Sequence, residues 1–186
     1  MTADQTNPYF TDNRELLLAE KCIRDTGVNL FLTGKAGTGK TFFLKELQKY
    51  SAKRMIITAP TGVAAINAGG VTLHSFFQLP FGPYIPGGAG QPGIQKNMFR
   101  FSKAKKEIMN SLDLLVIDEI SMVRADLLDA VDQTLQYHRR NEMPFGGVQL
   151  LLIGDLHQLP PVAKPDVWVL LKPVYSRMYF FSSLAL

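Results

Sequence analysis

Four runs with a nearly continuous apolar centre set the hydrophobic pattern of the chain. They cover residues 28–33, 54–59, 112–118 and 147–154, and a weaker run follows at 178–181. Strands that are buried on both faces of a parallel sheet are apolar throughout, whereas half-buried strands alternate apolar with polar residues. The runs therefore predict the strands of a mostly parallel sheet.

Segments with a helical spacing of apolar residues separate these strands. A first helix is predicted to begin at a cap, Thr11 or Asp12, and to run to about Thr26, where Gly27 stops it. Further helices are predicted at 41–50, 63–67, 71–78, 102–110, 124–140 and 166–171. Strands that alternate with helices predict an α/β fold with helices on both faces of the sheet. Residues 1–10 are expected to form an extended arm, and the Pro- and Gly-rich segment 82–93 a loop.

The segment between the first predicted strand and the next helix has the sequence GKAGTGKT at residues 34–41. It matches the phosphate-binding loop pattern GxxxxGK[ST] at every position. In such a loop, backbone N–H groups and the N-terminus of the following helix bind phosphate groups. The alternative is a chance match on a surface turn, and the flanking strand and helix favour the phosphate site. The predicted nucleotide-binding residues are Gly34, Ala36, Gly37, Thr38, Gly39, Lys40 and Thr41.

Chemically reactive side chains follow two later strands. Asp118 and Glu119 end the run at 112–118, and Gln158 follows the run at 147–154. Ligands of open α/β sheets bind at the carboxyl ends of the strands, so these residues are expected beside the phosphate loop. For the acidic pair alone, the alternative is a helix cap followed by a first-turn acid.

The catalytic roles follow from the chemistry of phosphoryl transfer. We expect Lys40 to reach the β- and γ-phosphates of a nucleoside triphosphate, and Thr41 and Asp118 to hold Mg²⁺. Glu119 is the predicted residue that polarises the attacking water. Gln158 is the predicted sensor of the γ-phosphate, with an ordinary loop amide as the alternative.

A second group of residues indicates contact with nucleic acid. Small residues and a helix N-terminus after the second strand allow a backbone phosphate to approach closely, and a histidine further on can touch a phosphate or stack on a base. The predicted DNA-binding residues are Thr61, Gly62, Val63 and His74. Basic residues can also track a strand, although a solvated helix face and a helix C-terminus explain them equally simply. These residues are Lys96, Arg100, Lys103, Lys105, Lys106, Arg139 and Arg140.

Composition limits the possible partners, metal sites and cellular compartment, but it does not assign a function. The 186 residues carry a net charge of +4, which is compatible with a nucleic-acid partner but does not require one. Cys22 is the only cysteine, so an internal disulfide is excluded and a zinc site is not expected. No signal peptide or membrane-spanning run is visible. A reducing compartment is expected, cytoplasmic in a bacterium and nuclear or mitochondrial in a eukaryote.

Four segments together resemble one family of motor proteins. They are GKAGTGKT, APTGVAAINAGGVTLHSFF, DEISMV and GGVQLLLIGDLHQLPPV, and they extend from about Val28 to Val162. The chain resembles the petite-integration-frequency (PIF-type) DNA helicases, superfamily-one 5′→3′ translocases related to RecD. The resemblance implies a RecA-like P-loop NTPase domain, ATP hydrolysis with Mg²⁺, binding of single-stranded DNA, and roles in DNA repair, recombination or telomere maintenance.

The same resemblance implies a second domain and an adenine-reading residue that the four segments do not include. The family has a second RecA-like domain, which supplies an arginine finger and closes the nucleotide site. We therefore interpret residues 1–27 as an arm and helix, and residues 28–186 as the first motor domain of a longer chain. The family usually reads adenine with a glutamine before the first strand. The matching segment has none, and Asn13 is its candidate substitute.

Two other functions remain as alternatives. One is a nucleic-acid-binding module with a vestigial nucleotide site, against which the intact Lys40, Asp118, Glu119 and Gln158 argue. The other is a different phosphate-loop enzyme, such as a GTPase. The Asn-Lys-x-Asp pattern that would read guanine is absent from the sequence.

Overall fold

The strands form one parallel sheet in a computed structural model that describes residues 13–35, 37–86 and 100–186. The strand order is β1-β5-β4-β2-β3, and each neighbouring pair is parallel. The predicted parallel α/β sheet is therefore confirmed. The strands are β1 (Leu30–Thr33), β2 (Met55–Ala59), β3 (Val71–Thr72), β4 (Leu114–Ile117) and β5 (Gln149–Gly154).

The helices of the described residues cover both faces of this sheet. They are α1 (Arg14–Asp25), α2 (Lys40–Tyr50), α3 (Gly62–Ala68), α4 (Leu73–Phe77), α5 (Lys103–Ser111), α6 (Ala125–Arg139) and α7 (Pro165–Leu171). Within the described ranges, no helix combines the length and apolar character needed to cross a membrane.

The first helix begins one or two residues later than predicted. Its cap is Asn13, whose Oδ1 accepts a hydrogen bond from the Leu16 amide at 3.0 Å. The predicted cap residues Thr11 and Asp12, and the predicted arm at 1–10, lie outside the described residues. The helix ends at Thr26 in an extended conformation, so Gly27 follows the end without forming it.

Alternating side chains of the central strands build two separate cores. In β4, Leu115 and Ile117 face the cluster covered by α4, α5 and α6. Leu114 and Val116 face the cluster covered by α1, α2 and α3. All four are fully buried, and each contributes about 1.5–3 kcal/mol of transfer free energy. Burial on both faces explains why this strand is apolar at every position.

Two short segments differ from their predicted structure. The helix predicted at 71–78 is instead the two-residue strand β3 followed by the five-residue helix α4. The strand predicted at 178–181 is wrong, because Tyr179 makes one isolated bridge to Arg124 and the chain then forms a 3₁₀ turn at Phe180–Ser182. Phe180 is buried in the first core, so its apolar character reflects packing in a turn.

Three buried aspartates of α6 each hold a different loop. Asp126 accepts two hydrogen bonds from the Arg124 side chain at 2.8 Å and one from the Tyr84 amide at 3.0 Å. Asp132 accepts a hydrogen bond from the Phe145 amide at 2.6 Å. Asp129 binds the segment that ends the chain, through the Tyr175 hydroxyl, Ser183, and the amides of residues 184 and 185. Helix α6 thus binds loops from distant parts of the sequence through these three side chains.

Candidate functional site

The phosphate-loop segment connects the carboxyl end of β1 to the start of α2. Gly37 and Gly39 have φ values of +78° and +90°, a left-handed conformation that glycine adopts without a steric penalty. A Cβ atom at Gly34 would lie 2.7 Å from Thr38 Oγ1, so the loop also needs glycine there for close packing. Thr38 Oγ1 donates to Lys35 O at 2.9 Å. The predicted contact Ala36 lies outside the described residues.

Lys40 is the first residue of α2 and folds back over its own loop. Its Nζ donates to Gly34 O at 2.5 Å and to Lys35 O at 3.0 Å. An ammonium group has three donors, so these contacts can be exchanged for phosphate oxygens without moving the helix. Thr41 follows at the exposed N-terminus of the same helix, where the helix dipole favours negative charge.

The acidic pair lies where β4 ends. Asp118 Oδ1 accepts a hydrogen bond from the backbone N–H of Glu119 at 3.0 Å. Glu119 has φ +53° and ψ +42°, a left-handed conformation that is uncommon for a residue with a side chain and is concentrated at functional sites. This turn directs the chain away from the strand and into a 3₁₀ turn at Ile120–Met122.

The electrostatics of the acidic pair show that it shares one edge of the sheet with Lys40. Burial raises the pKa of the Asp118 carboxyl above its ordinary value. Burial also raises the pKa of Glu119, and the neighbouring Asp118 charge raises it further. The positive charge of Lys40 opposes both shifts. The sheet order agrees, because β5 alone separates β1 from β4 and all three strands are parallel, so the loop lysine and the strand-end acids lie at the same carboxyl edge.

The end of β5 lies between the phosphate loop and the acidic pair, because β5 separates β1 from β4 in the sheet. A Cβ atom at Gly154 would lie 3.2 Å from the backbone nitrogens of residues 120 and 121, a tight contact, so the glycine lets the end of β5 pack closely against the turn that follows the acidic pair. Asp155 follows, and its carboxylate accepts the His157 amide at 3.0 Å. The Gln158 backbone N–H donates to Asp155 O at 3.0 Å, and the Gln158 side chain is exposed at the same edge.

Asp155 is a residue of this edge that the sequence analysis did not single out. It is 6% exposed, shapes the turn that carries Gln158, and adds to the upward shift of the pKa of Glu119. Asp155 directly follows an apolar strand, and this is the same sequence signal that identified Asp118 as a candidate site residue.

The predicted nucleic-acid residues lie together at the neighbouring part of this edge. Thr61 caps α3, with its Oγ1 accepting the Ala64 amide at 3.2 Å, and Val63 on the same helix is 73% exposed. The parallel register pairs Ala59 of β2 with Thr72 of β3. Thr61 and His74 each follow this pair by two residues, so both lie just beyond the carboxyl ends of two neighbouring strands.

Two of the candidate basic residues make contacts within the domain, as the structural alternative expects. Lys105 Nζ lies over the rings of Phe76 and Phe101, at 5.3 and 4.7 Å from their centroids. Arg139 donates to four backbone carbonyls, three of them at the end of α5. The remaining described cations are exposed on the surface, and Lys96 lies outside the described residues. The exposed ones are Arg100, Lys103, Lys106 and Arg140.

A comparison with known families assigns this combination of loop, acids and strand ends. The family model described as PIF1-like helicase matches residues 13–167, most of the chain. The chain belongs to the PIF1-like helicase family. The resemblance seen in the sequence is therefore confirmed, and with it the RecA-like P-loop fold.

Individual PIF1 proteins are similar over most of this chain. It is 40% identical over 149 residues to the ATP-dependent DNA helicase PIF1 of Saccharomyces cerevisiae, covering 76% of this chain and 16% of the yeast protein. Bacteroides Pif1 bound to ssDNA is 46% identical with a TM-score of 0.84, covering 92% of this chain and 38% of that one. Bacteroides Pif1 in complex with ADP-AlF3 and ssDNA is 47% identical with the same TM-score of 0.84 and the same coverage, 92% and 38%. This chain thus spans well under half the length of the PIF1 proteins that it matches.

Proposed function

We propose that residues 28–186, preceded by the arm and helix of residues 1–27, are the first motor domain of a longer ATP-dependent 5′→3′ DNA helicase. The observation that carries the proposal is the parallel order β1-β5-β4, which brings the loop of Lys40 and the acids Asp118 and Glu119 to the same carboxyl edge of the sheet. Membership of the PIF1-like helicase family supports it. The proposed substrate of hydrolysis is ATP, and the proposed track is single-stranded DNA.

In the proposed nucleotide site, Lys40 exchanges its loop carbonyls for the β- and γ-phosphates. The backbone amides of residues 34–41 surround the same phosphates at the N-terminus of α2. Glu119 holds the attacking water and accepts its proton. Gln158 hydrogen-bonds to the γ-phosphate and thereby couples the state of the nucleotide to the turn after β5.

The residues at this edge also fit a divalent cation. Glu119 lies within electrostatic range of both the Asp118 and the Asp155 carboxylates, and Asp118 and Glu119 are kept there against an unfavourable burial cost. Among the described residues the protein alone forms no cluster of three or more metal-binding side chains, so the phosphates and water would have to complete the coordination of the ion. Carboxylate and hydroxyl oxygens together with phosphates are the ligands that Mg²⁺ prefers. We assign Asp118 and the Thr41 hydroxyl as its protein ligands, and the ion would neutralise phosphate charge during the transfer.

Exposed apolar side chains support a second motor domain in the longer chain. Leu159, directly after Gln158, and Val162, four residues after it, are 66% and 79% exposed. A RecA-like partner domain that packs on this segment would cover them and bring an arginine to the γ-phosphate. Such an arginine contributes about 10³–10⁵ in rate. The chain of residues 1–186 alone is therefore expected to bind nucleotide weakly, to hydrolyse little ATP and to unwind no DNA.

Single-stranded DNA is the proposed partner of the face formed by Thr61, Gly62, Val63 and His74. A Bacteroides relative has been crystallised bound to ssDNA, and it is 46% identical to this chain. A helix N-terminus capped by Thr61 offers backbone amides to a phosphate, and the small Gly62 lets the strand approach.

The test is the ATPase rate of the full-length protein, measured with and without single-stranded DNA. We expect the DNA to raise the rate, and we expect Lys40→Ala to abolish it with the fold intact. Lys45→Ala is the matched control, because Lys45 is an exposed lysine on the same helix. ATPase activity that survives in Lys40→Ala would overturn the site assignment. An inactive wild-type protein that still binds DNA would favour a module with a vestigial nucleotide site.

A further inference from the structure

An aromatic ring stands almost fully in solvent next to the proposed DNA face. Phe81 is 93% exposed, the highest exposure among the large apolar residues described. Its ring is stacked on that of His74, with centroids 5.3 Å apart and planes inclined by 11°. Exposing a whole phenylalanine ring costs roughly 1.5–3 kcal/mol of transfer free energy relative to burying it, so a partner for the ring is the expected reason to keep it there.

The turn that presents Phe81 is firmly held. Gln78 ends α4 in a left-handed conformation with φ +51°, and its amide donates to His74 O. The Leu79 amide donates to the same carbonyl at 3.1 Å, and the Leu79 side chain is 5% exposed in the first core. The ring of Phe81 therefore emerges two residues after a buried anchor, in a position set by the core.

His74 is suited to support this ring. It is half-buried, and burial together with the nearby Arg124 charge lowers its pKa, so the imidazole is neutral near pH 7 and stacks without bringing a buried charge. One face of the Phe81 ring thus rests on His74. The exposure of the ring leaves its other face to solvent.

We propose that Phe81 is a stacking platform for a base of the single-stranded DNA, and that His74 is the positioning residue that holds its ring. This inference rests on the proposed function and specifies one contact through which the DNA face binds the strand. Thr61 and His74 both follow the paired carboxyl ends of β2 and β3, and the Phe81 ring is stacked on His74, so the ring borders the face along which the strand is proposed to pass. Stacking on an aromatic ring tolerates any base sequence, as a translocating motor requires.

The experiment is the binding of a fluorescein-labelled oligothymidine to the full-length protein, followed by fluorescence anisotropy without nucleotide. Phe81→Ala is expected to weaken binding about 5- to 150-fold, the range that corresponds to one lost stacking contact. Phe81→Trp should retain the affinity. Tyr50→Ala is the matched control, because Tyr50 is a 59% exposed aromatic residue at the far end of α2.

An abasic oligonucleotide separates stacking from any other use of the ring. On that strand Phe81→Ala should bind as the wild type does, because no base is left to stack. An equal loss on both strands would overturn the proposal, since the ring would then act on the backbone or on another part of the protein. The slope of affinity against salt should be the same in Phe81→Ala and the wild type, since no phosphate contact is removed.

His74 is tested by rescue. His74→Ala should weaken binding of the intact oligothymidine, and His74→Phe should restore it, because a phenyl ring can support Phe81 in the same way. If His74→Phe binds as weakly as His74→Ala, the histidine contacts DNA itself and the positioning role is wrong. A wild-type protein that binds no oligothymidine contradicts the proposed function as a whole. A wild-type protein that binds while Phe81→Ala binds equally well contradicts only this inference.

Discussion

Replacing Asp129 should loosen the end of the described chain from the rest of the domain. This aspartate is 4% exposed and accepts hydrogen bonds from four donors that are far away in sequence. The Tyr175 hydroxyl donates at 2.7 Å, the Leu184 amide at 3.0 Å and the Ala185 amide at 3.3 Å, and the Ser183 hydroxyl donates as well. One side chain of α6 thus fastens the segment from residue 175 to residue 185.

The expected cost follows from what Asp129→Ala leaves behind. The Tyr175 hydroxyl belongs to a residue that is only 1% exposed, so it loses its partner without gaining water, at about 1–3 kcal/mol. Hydrogen bonds to a charged acceptor contribute about 1.5–3 kcal/mol, although the amides at 184 and 185 lie near solvent and recover part of theirs. The sum is about 3–5 kcal/mol, a large fraction of the stability of a typical domain.

Urea unfolding of the 186-residue chain, followed by circular dichroism, measures this cost directly. Asp129→Ala should shift the midpoint downward with little change in slope. Gln133→Ala, an exposed change on the same helix, should lower the free energy of unfolding by less than about 1 kcal/mol. Tyr175→Phe should cost less stability in the Asp129→Ala background than in the wild type, because there it removes a hydroxyl that has already lost its acceptor. A loss below about 1 kcal/mol for Asp129→Ala, or strict additivity with Tyr175→Phe, would refute the fastening role.

Two further changes test the sheet and the acidic edge. Gly70→Ala should destabilise the chain by about 2 kcal/mol or more in the same urea assay, because the new Cβ would lie 2.2 Å from Ile57 O; Gly27→Ala, with nothing within 4 Å, is the control and should be nearly neutral. The raised pKa of Asp118 means that the fold favours its protonated form, so the stability it confers is present at acidic pH and is lost as pH rises through that pKa. Asp118→Asn should therefore raise the melting temperature at pH 7, and the gain should shrink as pH is lowered towards 4; a loss of stability at pH 7, or a gain independent of pH, would contradict the burial of this carboxyl.

The strands and the nucleotide site could be predicted because they depend on local pattern. A strand buried on both faces, such as β4, must be apolar throughout, and a phosphate loop needs glycines at fixed positions such as Gly37 and Gly39. The acids after β4 were found because a parallel sheet collects strand ends at one edge. The roles of the site residues and the division at residue 28 stay predictions.

The errors and omissions come from contacts between distant parts of the chain. Phe180 is apolar because it enters the first core from a turn, and a local pattern cannot distinguish this from a strand. The burial of Asp129 depends on donors 46 or more residues away. A signal for it existed, since Asp126, Asp129 and Asp132 recur every three residues among the apolar residues of the first part of α6. No local signal marks Phe81, because its exposure depends on how Leu79 anchors the turn in the core.

The most direct test of a shared nucleotide and metal site is a titration of the 186-residue chain with a fluorescent ATP analogue, with and without Mg²⁺. If Lys40 and Asp118 act at one site, Mg²⁺ should tighten binding to the wild type. Lys40→Ala should weaken binding by about tenfold or more, equivalent to about 1.4 kcal/mol. Asp118→Asn should bind the analogue equally well with and without Mg²⁺. Undiminished tightening by Mg²⁺ in Asp118→Asn would show that the strand-end acid and the phosphate loop do not form one site.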